Sequence, residues 1–330
     1  MGRVAVLGSL NVDVVTLVEQ AGGLGPGDVL LCSLEVDLAT VADAARAAHA
    51  AGALMARVAV LGSLNVDVVT LGERHPRPGE TVLGRSGGRF AGGKGGNQAA
   101  AAARSGAHVQ MLARVGADDA GAAYRSRLAA LGIDGAPVAT STTAPTGTAL
   151  ITVDDHGENS IIVIAGANGE GDPALVAAAG RLRRGDVLLC SLEVHLDTLA
   201  RAARVAHDAG ARVVINLAPY AALPPDVVAL ADPVVVNESE MALLADSDLV
   251  PESLLVTFGA AGARWGSHGV DGTPVPAEEV GDTVGAGDAF CGALAAALAS
   301  GADRQTALEA GNAAGAQAVR WSGAQPDAAL

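Results

Sequence analysis

The chain has 330 residues, half of them hydrophobic, and a formal net charge of −15 at pH 7. That is enough apolar material for one large core or two domains, and with aromatic residues at 2 % the core must be built from Ala, Val and Leu. The acidic balance argues against nucleic acid and anionic membranes as partners, and the longest apolar stretch, Ala289 to Ala302, is too short and too rich in Ala and Gly to span a bilayer.

The amino terminus has no basic region leading into a long apolar run, so no secretory signal is expected. Cys32, Cys190 and Cys291 have no metal-ligand spacing and fit a reduced cytoplasm. The first feature along the chain is an internal duplication. Residues 3–17 recur unchanged at 57–71, and residues 22–53 match 180–211 at 23 of 32 positions. Residues 1–54 are therefore read as a duplicated leader and 55–330 as the folded domain. Two copies of one strand cannot fill one slot. Using the first copy would loop out the intervening chain at a closure cost of about 1 kcal/mol, so the copy at 57–71 is expected in the core. The rest of the leader reads as a strand over 29–34 and a helix over 38–51.

From Arg57 onward, apolar runs bounded by Gly, Pro or Asp alternate with Ala-rich amphipathic stretches. The pattern predicts strands over 58–64, 109–115, 187–192, 212–216, 234–236 and 254–257, with helices over 97–104 and 120–131. The fold class is α/β, a doubly wound and mostly parallel sheet with helices on both faces. Two β-rich regions, 66–90 and 148–164, have no helix between their strands and read as a small β-sheet placed as a lid.

Four motifs carry chemistry. In Asp282 to Ala299, DTVGAGDAFCGALAAALA, glycines let the backbone close on a ligand, and the helix that follows points free N–H groups and its positive dipole end at an anion. Asp288 in the first turn could take a proton from an attacking hydroxyl, although an Asp there also serves as a plain N-cap. Residues 92–98, GGKGGNQ, open a helix with four glycines and an Asn able to donate and accept. GSLNVD, 62–67, ends a strand at the edge where open α/β sheets bind ligands, and Asp67 could accept from two adjacent hydroxyls or simply form a turn. Asn237 to Glu240, NESE, follows another strand; Glu240 could organise Mg²⁺ through water, or the acidic residues could belong to a helix start.

Taken together with AGGKGGNQAAAAARSGA, VGADDAG, TGTALITVDDHGENSIIVIAGAN, LLCSLEV, NLAPYAALPP, VTFGAAG and GAQP, these motifs stand in the order seen in the ribokinase-like (PfkB) family of carbohydrate kinases, which the chain resembles from about Arg57 to Pro326. The resemblance implies ATP-dependent phosphorylation of the primary hydroxyl of a small sugar, ribose first, or else of another carbohydrate or a nucleoside. It implies Asp288 as general base and the amides of Gly285, Ala286 and Gly287 as an anion hole for the phosphoryl group. It further implies Asn65, Asp67, Gly93, Lys94, Asn97 and Glu158 around the sugar, with Glu158 reaching in from the lid. Asn237, Thr257, Gly259 and Asn312 would line the ATP side, Glu240 would serve Mg²⁺, and Asp282, the Val284 carbonyl and the backbone near Gly323 would form a K⁺ site. A homodimer through the lid sheet is also implied. The chain departs from the family between Glu240 and Leu254, where 13 residues remain and a parallel crossover needs a dozen or more, and in ending soon after Pro326. A sugar- or nucleotide-binding relative without turnover is the alternative that these departures motivate.

Overall fold

The computed structural model describes the backbone of two leader strands and residues 56–330 in full, and the chain divides into two compact units, Met1–Ala56 and Arg57–Leu330. In the first unit, β1 (Val4–Leu7) pairs in parallel with β2 (Val29–Cys32), and Val4 lies opposite Val29. The helix expected over 38–51 lies outside the described residues. In the second unit, β3 (Arg57–Leu61) is flanked by β6 (His108–Leu112) and β11 (Val187–Ser191), with Val58 opposite Val187. Val58 is the duplicate of Val4 and Val187 that of Val29, so the leader repeats the register of the core pair as well as its sequence.

Between β3 and β6 the chain forms β4 (Asn65–Gly72), β5 (Gly84–Gly92) and helix α1 (Lys94–Arg104). The strand expected over 109–115 is two: β6 stays in the main sheet, and β7 (Arg114–Gly116) turns away to pair with β8 (Ala139–Ser141), with α2 (Asp119–Ala130) between them. The break falls at Ala113, whose carbonyl accepts from Ala139 N–H at 2.9 Å and so hands the chain to a new partner. Then follow β9 (Gly147–Val153), β10 (Asn159–Ile164), α3 (Pro173–Ala179), β11, α4 (Leu196–Asp208), β12 (Arg212–Asn216), α5 (Pro225–Ala229), β13 (Ala231–Asn237), α6 (Glu238–Ala245), β14 (Leu254–Thr257), β15 (Gly262–Trp265), β16 (His268–Asp271), α7 (Ala286–Ala299) and α8 (Arg304–Ala318).

The main sheet runs β16-β15-β14-β13-β12-β11-β3-β6, parallel from β14 to β6 and antiparallel at the β15–β16 edge. Alternate residues of a strand face opposite sides, and here both sides are buried. Val58, Val60, Val187 and Leu189 pack with residues of α1 and α7, whereas Ala59, Leu61, Leu188 and Cys190 pack with residues of α3 and α4. The β13 to β14 crossover is made by α6 alone, two turns long, followed by irregular chain. The shortened segment thus keeps a parallel connection with one helix where the resemblance implies more.

The lid sheet has the order β10-β9-β4-β5, with β4 and β9 parallel and the other pairs antiparallel. The end of the chain returns to its β5 edge: Ala91 N–H donates to the Ala328 carbonyl at 2.7 Å, and Leu330 N–H donates to the Arg89 carbonyl at 3.0 Å.

One contact sets the position of the candidate site. Alanines and glycines on α1 and α7 let the two helices approach closely, and at Gly292 a methyl group would stand 2.5 Å from the Gln98 carbonyl oxygen. Asp288 is one turn before Gly292, so the close approach carries Asn97 and Gln98 of α1 to the first turn of α7.

Candidate active site

The glycines of 92–98 are needed for space more than for suppleness. A Cβ on Gly95 would stand 2.4 Å from the Gly62 carbonyl carbon, and one on Gly92 would overlap the Asp67 carboxylate. Gly93 has φ 82° and directly precedes α1, in the left-handed region that favours glycine. These contacts press the start of α1 onto the carboxyl end of β3 and the first residues of β4, which brings Asn65, Asp67, Lys94 and Asn97 together.

Asp288 is not an N-cap. That position belongs to Gly285, at φ 79°, and Asp288 is the third helical residue, buried at 6 % exposure. Its two carboxylate oxygens are held from α1: Asn97 Nδ2 donates to Oδ2 and Gln98 Nε2 to Oδ1, each at 3.0 Å. Burial pushes its pKa above the ordinary carboxylate value, offset in part by the Lys94 ammonium and the two amide donors. The result is a fixed carboxylate with a proton affinity higher than a surface Asp. Of the three amides expected to form the anion hole, Ala286 N–H leans back to the Thr283 carbonyl at 3.3 Å, while among the described residues no acceptor meets those of Gly285 and Gly287.

On the other side of Lys94 stands a residue that the sequence reading did not single out. Glu193, two positions past the end of β11, accepts from Ser63 Oγ at 2.5 Å and from Lys94 N–H at 3.1 Å through the same oxygen, Oε2. Its charge and, to a greater extent, burial lift the Asp67 carboxyl to about 7. Among the described residues no donor meets the Asp67 carboxylate. Asn65 is tied down, its Oδ1 accepting from Asn168 Nδ2 at 2.8 Å. Lys94, ringed by Asp288, Glu193 and Glu240, has its pKa raised despite its burial. Glu158, expected in this cluster, is not brought to it. It is exposed on the β9–β10 turn, where its N–H donates to Asp154 Oδ1 and its carbonyl meets His75 Nε2, because the hairpin needs those backbone contacts to close. The second carboxylate in the cluster is that of Glu193.

Two cavities meet at Gly287 and Thr257. The smaller, about 190 Å³, is lined by Lys94, Asn237, Glu240, Gly285, Asp288 and Cys291. The larger, about 510 Å³ and mainly apolar, is lined by Gly259, Pro274, Val275, Phe290, Asn312 and Val319 among others. A Cβ at Gly287 would meet nothing within 4 Å, so the passage between them is open at that residue. The helix-start reading of NESE holds. Asn237 and Glu240 form a capping box, with Glu240 N–H on Asn237 Oδ1 at 2.8 Å and Asn237 N–H on Glu240 Oε2 at 2.9 Å, and both line the smaller cavity. Asp282 Oδ1 accepts from Val284 N–H at 3.0 Å, Gly281 and Asp282 N–H groups reach the Val319 carbonyl, and a Cβ on Gly285 would press on Ala324; the loop at 282–285 is thereby packed against the chain leading to Gly323. Among the described residues no cluster of three or more His, Cys, Asp or Glu has the arrangement to hold a metal by itself, and no helix is long and apolar enough to cross a membrane.

A buried carboxylate at a glycine-capped helix start, in a hollow lined by Lys94 and Glu240 that opens at Gly287 into a large apolar cleft, is an arrangement suited to phosphoryl transfer to a small molecule. The chain matches the pfkB family of carbohydrate kinases over residues 55–329 and belongs to that family. It is similar to the ribokinase of Bacillus subtilis (strain 168), 36 % identical over 281 residues that cover 82 % of this chain and 95 % of the relative. It is also similar to the deoxyribokinase of Salmonella typhi, 33 % identical over 272 residues, 76 % of this chain and 89 % of that one. The solved structure of Arabidopsis thaliana ribokinase complexed with ribose and ATP superposes with a TM-score of 0.73 at 27 % identity, covering 82 % of this chain and 95 % of that one.

Proposed function

We propose that the chain transfers the γ-phosphoryl group of ATP to the primary hydroxyl of ribose, giving ribose 5-phosphate and ADP. The observation that carries this reading is the Asp288 carboxylate, held by Asn97 and Gln98 in the hollow that opens at Gly287 into the larger cleft. In the reaction, Asp288 accepts the hydroxyl proton and the hydroxyl oxygen forms a bond to the γ-phosphorus. The bond from that phosphorus to the bridging oxygen breaks, and the electron pair leaves with ADP. Such a transfer depends on positioning and charge stabilisation, and the amides of Gly285 and Gly287 at the positive end of α7 supply the latter. Asp67, which no donor meets among the described residues, and Glu193 await the sugar's hydroxyls from one side, with Asn65, Gly93, Lys94 and Asn97 framing them.

The apolar cleft from Gly259 to Val319 suits the adenine and ribose of ATP. Mg²⁺ fits beside Glu240, whose second carboxylate oxygen is outside the capping box; there it would neutralise phosphate charge. K⁺ fits the loop of Asp282 and the Val284 carbonyl, next to the backbone at Gly323. The ribokinases among the relatives support ribose, and the deoxyribokinase makes deoxyribose the sugar to set against it. A homodimer through the lid rests on β10, the edge strand beyond β9, whose Ile161, Ile162, Val163 and Ile164 are 46–66 % exposed. A cytoplasmic site of action is supported by the supply of ATP there and by the free thiols of Cys190 and Cys291.

The test is a coupled ADP-release assay with ATP, Mg²⁺ and K⁺ across ribose, deoxyribose, fructose and nucleosides. Highest kcat/KM with ribose supports the reading; preference for another substrate replaces it, and silence across the panel in folded protein favours binding without turnover.

A further inference from the structure

Gln325, in the segment after α8, is a polar residue at 3 % exposure and lies far along the chain from the catalytic motifs. Its Oε1 accepts from Arg127 Nη2 at 3.1 Å, and its Nε2 donates to Asn97 Oδ1 at 2.8 Å and more weakly to the Ala91 carbonyl at 3.4 Å. Asn97 in turn donates through Nδ2 to Asp288 Oδ2. Four side chains therefore form one line, Arg127 to Gln325 to Asn97 to Asp288.

The two ends of that line fix the middle. A guanidinium has only donors, and an ionised carboxylate has only acceptors. The two ends of an amide are alike in shape and opposite in hydrogen bonding. Between a donor-only and an acceptor-only group, each amide satisfies both neighbours in one orientation, with oxygen toward Arg127 and nitrogen toward Asp288. Gln325 is itself anchored, because the chain end pairs with β5 through Ala328 and Leu330 and Arg127 Nη1 holds the Asp327 carbonyl at 2.5 Å.

We infer that Gln325 is a positioning residue for the base: it locks the Asn97 amide with its N–H toward Asp288 and excludes the reversed orientation, which would set a carbonyl oxygen against the carboxylate. This rests on the phosphoryl-transfer reading for its role in turnover, and on the hydrogen-bond line alone for its effect on Asp288. The charged or titratable groups around Asp288 are Lys94 at the start of α1, Glu193 after β11, Glu240 on α6, Cys291 on α7 and Tyr124 on α2. Of these only Tyr124, whose hydroxyl donates to the Gly92 carbonyl at 2.6 Å, also interacts with Gln325.

The test uses the full chain with ¹³C-labelled Asp carboxyls, the Asp288 signal being assigned by its loss in Asp288→Asn. Gln325→Met keeps length and packing but removes every hydrogen bond of the side chain. Gln325→Glu keeps shape but presents an acceptor to Asn97 Oδ1, which turns the amide round. The Asp288 titration midpoint is expected to rise in both variants, since the ionised form loses a donor, and further in Gln325→Glu. In steady state, kcat at pH 7 is expected to fall roughly tenfold or more in Gln325→Glu, with the acid limb moved to higher pH and the sugar KM less affected. A residue that only anchors the chain end would lower Tm in both variants and leave the Asp288 midpoint of Gln325→Met where it was; that result overturns the inference. The titration needs no turnover. A wild-type chain silent on every sugar therefore defeats the kinase reading, while the midpoint still decides the role of Gln325.

Discussion

Gly292 of α7 rests directly on the backbone of Gln98 in α1, with room for a hydrogen atom and nothing more: an added methyl would stand 2.5 Å from the Gln98 carbonyl oxygen and 2.6 Å from Ala101 Cβ. The neighbour on one side is helix backbone, which cannot step aside as a flexible side chain would. Gly292→Ala is therefore expected to push the helices apart, costing about 1–3 kcal/mol as overpacking does, and to lengthen the bonds from Asn97 and Gln98 to Asp288. Urea unfolding measures the first effect and kcat the second. A variant with unchanged stability and unchanged kcat would mean that the helices do not meet as described.

Asp288→Asn keeps the shape of the base and removes its capacity to take a proton. Turnover is expected to fall by roughly two to four orders of magnitude, while calorimetric ribose affinity changes little, because on the proposed reading Asp67 and Glu193 would still meet the sugar's other hydroxyls. Parent-like turnover would remove Asp288 from the role of base.

Much of this arrangement could be read from the chain. The parallel sheet followed from apolar runs such as VLLCS at Val187–Ser191, which only a doubly covered strand would carry, and the lid followed from β-rich stretches without intervening helices. Asp288, Asn97 and Lys94 were legible because glycine-rich sequence beside a helix start has few other uses. Glu193 was not: its segment, LLCSLEV, was read as a repeated strand and as one of the family-like motifs, with no role given to its carboxylate; the available signal was a carboxylate just past the carboxyl end of a fully apolar strand, the edge where such sheets bind ligands. Gln98 and Gln325 were missed because a buried amide declares its role only through its partners. Glu158 failed for the opposite reason: lid residues are close in sequence to the strands that cover a site, but the turn holding Glu158 faces water.

Gly287 offers a separate handle on the nucleotide side. A Cβ there meets nothing in the protein, and the backbone is not in the left-handed region, so Gly287→Val is expected to fold with the parental Tm. Its side chain would instead occupy the passage between the two cavities, beside the amide proposed to hold the phosphoryl group. Turnover is expected to fall by roughly a hundredfold or more, with ribose binding in the absence of ATP retained. A large loss of Tm, or full activity, would place the transferred group elsewhere.

Asp67 links the site's chemistry to stability, and the sign can be worked out. Burial, with a smaller contribution from Glu193, lifts its carboxyl from 3.8 to about 7. Below the lower value the folded and unfolded chains both hold the proton, and the group contributes no difference. Between the two values the unfolded chain gives up the proton while the fold retains it, so stability falls as pH rises; above about 7 the fold carries a buried, unpaired charge in full. Asp67→Asn removes that cost. Its Tm relative to the parent is expected to climb from pH 5.5 to pH 8.5, while its sugar KM rises because an amide accepts from adjacent hydroxyls less well than a carboxylate. Paired melts across this range decide the matter: a Tm difference independent of pH would show that Asp67 is already ionised in the fold at low pH, held by a donor from solvent.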